Sequence, residues 1–283
     1  MSVDGKRILV TGATDGIGLQ ASVDLAGMGA SLHLVGRNPE KLAAAADQVA
    51  QAAGGKPPAT YLADLSSQAA IRGLAEEVKS NVGKLDILLN NAGGMFSDRQ
   101  LTADGIEMTF GFNHLGYFLL THLLLDALYA APRGRVVNVA SDAHRGVSLD
   151  FDNLQGERGY SGWRAYQRSK LANILFTREL AGRVEPRQVT VNCLHPGFVK
   201  SNFGSAASGA FGWALGAAKN LFAIDVKKGA ETSVYLCASP EVENVTGQYF
   251  VKCKPATPSR QAQDAAAQKQ LWAVSERLTG IMP

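Results

Sequence analysis

Short apolar runs alternate with longer stretches of helical period along most of the chain. The runs fall at residues 7–11, 31–35, 60–62, 85–90, 135–139, 188–194 and 248–251, with helical period clearest at 40–53 and 68–82. Strand–helix–strand repetition requires parallel strands joined by right-handed crossovers, with helices on both faces of the sheet. The run Leu85-Asp-Ile-Leu-Leu-Asn90 is nearly all apolar, as a strand covered on both faces must be. The pattern predicts an α/β chain with a doubly wound, Rossmann-type parallel sheet of about seven strands. A length of 283 residues fits one such domain spanning 1–283. A C-terminal helix is expected over 259–279, with Leu271, Val274 and Leu278 on one face.

Charge and cysteine content remove several function classes. The net charge of +3 is small and contains no basic run, so no nucleic-acid partner is expected. Cys193, Cys237 and Cys253 share no metal-ligand spacing and read as reduced thiols, so no metal is expected. The first apolar run stops at Thr11-Gly12, too short for a signal segment or a membrane span. A cytoplasmic location is the resulting expectation.

The turn after the first strand reads Thr11-Gly12-Ala13-Thr14-Asp15-Gly16-Ile17-Gly18 and leads into a helical pattern. Glycines there let the backbone approach a pyrophosphate, whose charge a helix N-terminus favours. Gly12, Thr14, Gly16, Ile17 and Gly18 are therefore candidate dinucleotide contacts, chiefly because of where the loop falls. An NAD enzyme places an acid at the end of the second strand, but this chain has Arg37-Asn38 there. A guanidinium suits a 2′-phosphate, so NADP is favoured over NAD, with Arg37 and Asn38 as contacts. A merely solvated Arg37 is the alternative.

Tyr166 and Lys170 stand at helical i, i+4 positions in Trp163-Arg-Ala-Tyr-Gln-Arg-Ser-Lys, which stacks them on one face. A free phenol titrates near pH 10 (about), and a neighbouring ammonium is expected to pull it down toward a working range. Such a pair can donate a proton to a carbonyl or remove one from an alcohol. Ser141 follows the fifth strand at the carboxyl edge of the sheet, where it can polarise a substrate oxygen or merely cap a turn. Asn113 is a polar side chain in an apolar helix and needs a partner. His33, His122 and His144 read as structural rather than catalytic.

The Gly-x-x-x-Gly-x-Gly spacing, Asn90-Asn91-Ala92-Gly93, Tyr166/Lys170 and His195-Pro196-Gly197 occur in an order that resembles the short-chain dehydrogenase/reductase family. The resemblance covers residues 5–253. It implies a catalytic tetrad of Asn113, Ser141, Tyr166 and Lys170. It also implies cofactor contacts at Asp64, Leu65, Asn91, Ala92, Gly93, Tyr166, Lys170, Pro196, Gly197, Val199 and Ser201, with Asn90 steadying the sheet. Asn113-His114-Leu115-Gly116, the insert Asp152–Gly156 and Ser169-Lys170-Leu171-Ala172-Asn173 resemble its retinol-dehydrogenase-like branch. That implies an apolar alcohol or carbonyl substrate and a homodimer or homotetramer. A flexible substrate lid is expected over 201–224, where Phe203, Phe211 and Trp213 accompany small residues. Three activities follow as alternatives: an NADP(H)-dependent alcohol dehydrogenase or carbonyl reductase, an NADP(H)-sensing module without turnover, and double-bond or imine reduction on the same scaffold.

Overall fold

Every apolar run becomes a strand, and residues alternate between two separate cores as strand geometry requires. The computed structural model describes residues 3–197 and 225–281. Its strands are β1 (Arg7–Thr11), β2 (Ser31–Gly36), β3 (Ala59–Leu62), β4 (Ile87–Asn90), β5 (Gly134–Val139), β6 (Val189–His195), β7 (Tyr249–Val251) and β8 (Lys254–Ala256). They form one sheet in the order β3-β2-β1-β4-β5-β6-β7-β8. All neighbours are parallel except β7 and β8. The winding reverses between β1 and β4, the switch point beside which open α/β sheets bind ligands.

The expected sheet of about seven strands is present and gains an eighth, β8, which pairs antiparallel with β7. The turn between them is made by Lys252 (φ 51°) and Cys253 (φ 60°). Neither is a residue that announces a left-handed turn, so the sequence carries no hairpin signal there.

The helices are α1 (Gly16–Gly27), α2 (Pro39–Ala52), α3 (Gln68–Val82), α4 (Gly116–Tyr129), α5 (Gly162–Arg183), α6 (Val226–Ala238) and α7 (Ala265–Thr279). A short helical turn, Met108–Phe110, and a π turn, Gly111–Leu115, precede α4. On one face of the sheet, Ile8, Val10, Ile87 and Leu89 pack with Leu25 of α1, Leu42 of α2 and Leu236 of α6. On the other, Leu9, Leu88 and Val136 meet Ile71 of α3, Phe118 of α4 and Phe176 of α5.

α7 starts later than expected because Asp264 caps it, its carboxylate accepting from the amides of Ala266 and Ala267. Its buried residues are Gln268, Leu271, Trp272, Ser275 and Thr279, whereas Val274 and Leu278 are only partly covered. Trp272 stacks on Phe176 and sits edge-on to Phe118, 5.1 Å away, with the Arg183 guanidinium 4.2 Å over its ring. α7 thus covers part of the outer face of α4 and α5.

A buried amide chain runs under the sheet: Asn90 donates to Thr121 and Asn138, and Asn138 donates to Thr177. It fixes β4, β5, α4 and α5 relative to one another near the carboxyl ends of the strands. No helix among the described residues is long and apolar enough to cross a membrane. The segment expected to form a lid, 201–224, lies outside the described residues.

Candidate active site

A cleft of ≈ 520 Å³ opens at the carboxyl ends of β1, β2 and β4. Gly12, Thr14, Gly16, Ile17, Gly18, Arg37, Asn38, Leu65, Asn91, Ala92 and Gly93 line it, all positions singled out from sequence. The loop shape depends on two glycines. Gly12 holds φ +64°, and a Cβ there would meet the Ala92 backbone at 2.8 Å. At Gly18 a Cβ would stand 2.2 Å from the Gly12 carbonyl oxygen and 2.3 Å from the Asn91 amide nitrogen. The Asn91 side chain donates to the carbonyls of Thr11 and Gly12, and the Thr11 hydroxyl accepts from the amides of Asn91 and Ala92. The loop is therefore tied to the end of β4 and lines the cleft, a cradle suited to a dinucleotide pyrophosphate.

Three side chains at this end differ from the simplest reading. Asp15 accepts from the Gly16 amide at 2.7 Å, so a carboxylate occupies a donor at the α1 N-terminus. Asn38 caps α2 through the Lys41 amide while lining the cleft, which brings exposed Arg37 and Lys41 to the same rim. Asp64 is exposed and is not among the cleft-lining residues. Its carboxylate accepts from the amide and hydroxyl of Ser66.

The cleft runs to Gly93, whose missing Cβ would lie 3.3 Å from the Lys170 Nζ and 3.4 Å from the Asn113 Oδ1. Lys170 is buried and donates to the Val139 carbonyl at 3.1 Å. Its Nζ lies 5.7 Å from the centroid of the Tyr166 ring and 5.9 Å from that of Tyr117. Asn113 sits in the π turn, a local widening that recurs at functional sites. Its side chain makes a reciprocal pair with the Gly94 backbone, both bonds 2.8 Å, and donates to the Ser169 hydroxyl. Asn113 thus fastens the Gly93-Gly94 loop to α5, the helix carrying Tyr166 and Lys170. The next residue, His114, is held near pKa 3 by burial, and its Nε2 meets the Ser275 hydroxyl of α7 at 2.9 Å.

The electrostatics correct one expectation. Burial pushes the Tyr166 phenol up to about 12, opposed by its hydrogen bond with Ser141, instead of Lys170 pulling it down. Burial also brings Lys170 down to about 8. With the phenol nearly covered, the lost hydration of a phenolate outweighs the stabilisation its hydrogen bond with Ser141 supplies. Tyr166 therefore rests as a proton donor. Trp163 stacks beside it at 5.8 Å and leaves its own outer edge exposed.

Pro196 and Gly197 follow β6 directly, with Gly197 at φ +91°. Val199 and Ser201 lie outside the described residues, as do Phe198, Phe203, Phe211 and Trp213. Sequence reasoning missed Thr11, Lys41, Met95, Phe96 and Phe112. Lys41 was findable, one helical turn beyond Arg37. Met95, Phe96 and Phe112, which form an apolar wall beside Gly93 and Gly94, carried no motif.

Comparisons with known proteins identify the family and the fold. The short chain dehydrogenase family model matches residues 6–209. The chain is 39% identical over 297 residues to mouse (Mus musculus) retinol dehydrogenase 14, covering 98% of this chain and 87% of that protein. A crystal structure from Mycobacterium paratuberculosis superposes with a TM-score of 0.79 at 30% identity, covering 99% of this chain and 95% of the other. A Shigella flexneri short chain dehydrogenase complexed with NADP gives a TM-score of 0.67 at 27% identity, covering 89% and 98%.

Proposed function

The chain belongs to the short-chain dehydrogenase/reductase family, in its retinol-dehydrogenase-like branch. From that premise we propose an NADP(H)-dependent oxidoreductase that interconverts an apolar alcohol and its aldehyde or ketone. The observation that carries this reading is the meeting of Ser141, Tyr166 and Lys170 beside Gly93, at one end of a glycine-lined cleft. Bound along that cleft, a nicotinamide dinucleotide would supply or accept the hydride. Tyr166 gives its phenolic proton to the carbonyl oxygen in reduction and takes one back in oxidation. Ser141 orients the same oxygen through its hydroxyl. Lys170 holds positive charge at the wall between Tyr166 and the cleft.

Two observations support NADP. Arg37 and Lys41 share the cleft rim at the end of β2, where a carboxylate would repel a 2′-phosphate. The Shigella flexneri neighbour is complexed with NADP. An apolar substrate is supported by Met95, Phe96 and Phe112 at the inner end of the cleft, and by retinol, a long apolar alcohol, in the relatives' names. A homodimer or homotetramer, as the family resemblance implies, belongs to the same proposal.

The test is a panel of aldehydes, ketones and alcohols of graded chain length, read by nicotinamide absorbance with NADPH and with NADH. NADPH oxidation that rises with substrate apolarity is expected. No turnover on any carbonyl or alcohol would overturn the reading.

A further inference from the structure

The turn that carries Ser141 is held from two sides by a residue outside the tetrad. His144 is fully buried in the 3-10 turn Asp142–His144 that follows β5. Its Nδ1 lies 2.7 Å from the Ser141 carbonyl oxygen, and its Nε2 lies 3.0 Å from the backbone nitrogen of Ser259. A carbonyl can only accept and an amide N–H can only donate. The ring must therefore be neutral, with its proton on Nδ1 and its lone pair on Nε2. The same turn is fastened again by Arg145, which pairs with Asp142 and donates to the Thr257 carbonyl. Residues 257–259 lead into α7, which packs on α5 at Phe176. The Ser141 hydroxyl reaches Tyr166 from this bracketed turn.

We propose that His144 is a positioning residue: as its Nδ1–H tautomer it locks the Ser141 turn to the 257–259 segment and keeps the Ser141 hydroxyl on Tyr166. The inference rests on the oxidoreductase reading for its kinetic consequence, though not for its tautomer. Protonating His144 places a second N–H against the Ser259 amide and breaks that bond. Burial holds its pKa below the ordinary histidine value, so this loss falls on the acid side. The groups facing the ring are Asp142 and Arg145 on its own turn, His195 at the end of β6 and Tyr249 on β7. Asp142 favours the protonated ring, whereas Arg145 and His195 oppose it.

Two variants separate positioning from mere packing. His144→Asn keeps a donor at the Nδ1 position, and His144→Gln keeps an acceptor at the Nε2 position but no donor to Ser141. On a carbonyl substrate turned over by the wild type, each variant breaks one side of the bracket, so each should lower kcat about 10-fold or more at neutral pH. KM for NADPH should change in neither. The wild-type decline of kcat at low pH should be absent from His144→Asn. A wild-type kcat in either variant, or an unchanged acid decline in His144→Asn (which would assign it to His195), overturns the proposal. Nitrogen-15 NMR of the wild-type protein reads the tautomer without any turnover. A proton on Nε2 overturns the proposal even if the oxidoreductase reading holds, and a proton on Nδ1 supports it even if no substrate is found.

Discussion

Replacing Lys170 by Met should stabilise the protein while removing its activity, because the site holds an ammonium where burial disfavours charge. Burial brings Lys170 from 10.5 to about 8. At about 1.4 kcal/mol per tenfold change in proton affinity, keeping that ammonium in the folded state costs about 3 kcal/mol. Below pH 8 the lysine is protonated in both folded and unfolded chains, and the whole cost is present. Between pH 8 and 10.5 the folded protein releases its proton while the unfolded chain keeps one, so the cost shrinks, and above 10.5 it is gone. Methionine has similar length and no charge to bury. Loss of the bond to the Val139 carbonyl does not strand that oxygen, since Asn173 also donates to it. Lys170→Met should raise Tm by about 6 °C at pH 7, taking roughly 2 °C per kcal/mol for a chain of this size. The gain should shrink by pH 9.5. Calorimetry on the cofactor-free protein at both pH values reads this directly. A variant no more stable than wild type at pH 7, or a gain independent of pH, would refute the burial argument.

Three further outcomes concern the cofactor end. Arg37→Asp should weaken NADPH binding about 10- to 100-fold, the size of a lost charge-assisted contact, with little effect on NADH. Asp15→Asn should tighten NADPH by removing a negative charge from the α1 N-terminus while its amide oxygen still accepts from Gly16, and isothermal titration measures both. Gly18→Ala forces a methyl to within 2.2 Å of the Gly12 carbonyl oxygen, so dinucleotide binding should fall at least tenfold with a drop in Tm. Unchanged binding in that variant would show that the loop is not the cradle described here.

The residues that were legible in sequence are those whose role follows from local pattern. Alternating apolar runs gave the strands, because a residue buried on either face of a parallel sheet must be apolar. The loop around Gly12 and Gly18 was legible because only glycine permits those approaches, and the i, i+4 spacing placed Tyr166 and Lys170 on one side of α5. What spacing cannot report is desolvation, so the direction of the Tyr166 shift was misjudged until its burial was known. Long-range partners were equally invisible. His144 read as an ordinary structural histidine because Ser259 lies far along the chain, and Trp272 was overlooked because its partners, Phe118, His122 and Phe176, sit on two other helices. The β7–β8 hairpin was hidden by a turn built without glycine or asparagine.

The role of the Tyr166 hydroxyl is tested most directly by the single-turnover rate of carbonyl reduction in Tyr166→Phe, compared with wild type at saturating NADPH. Removing the proton donor while keeping the ring should slow that step about 10²- to 10⁴-fold and leave NADPH affinity unchanged. A Phe variant that reduces the carbonyl at the wild-type rate would contradict proton transfer from this phenol.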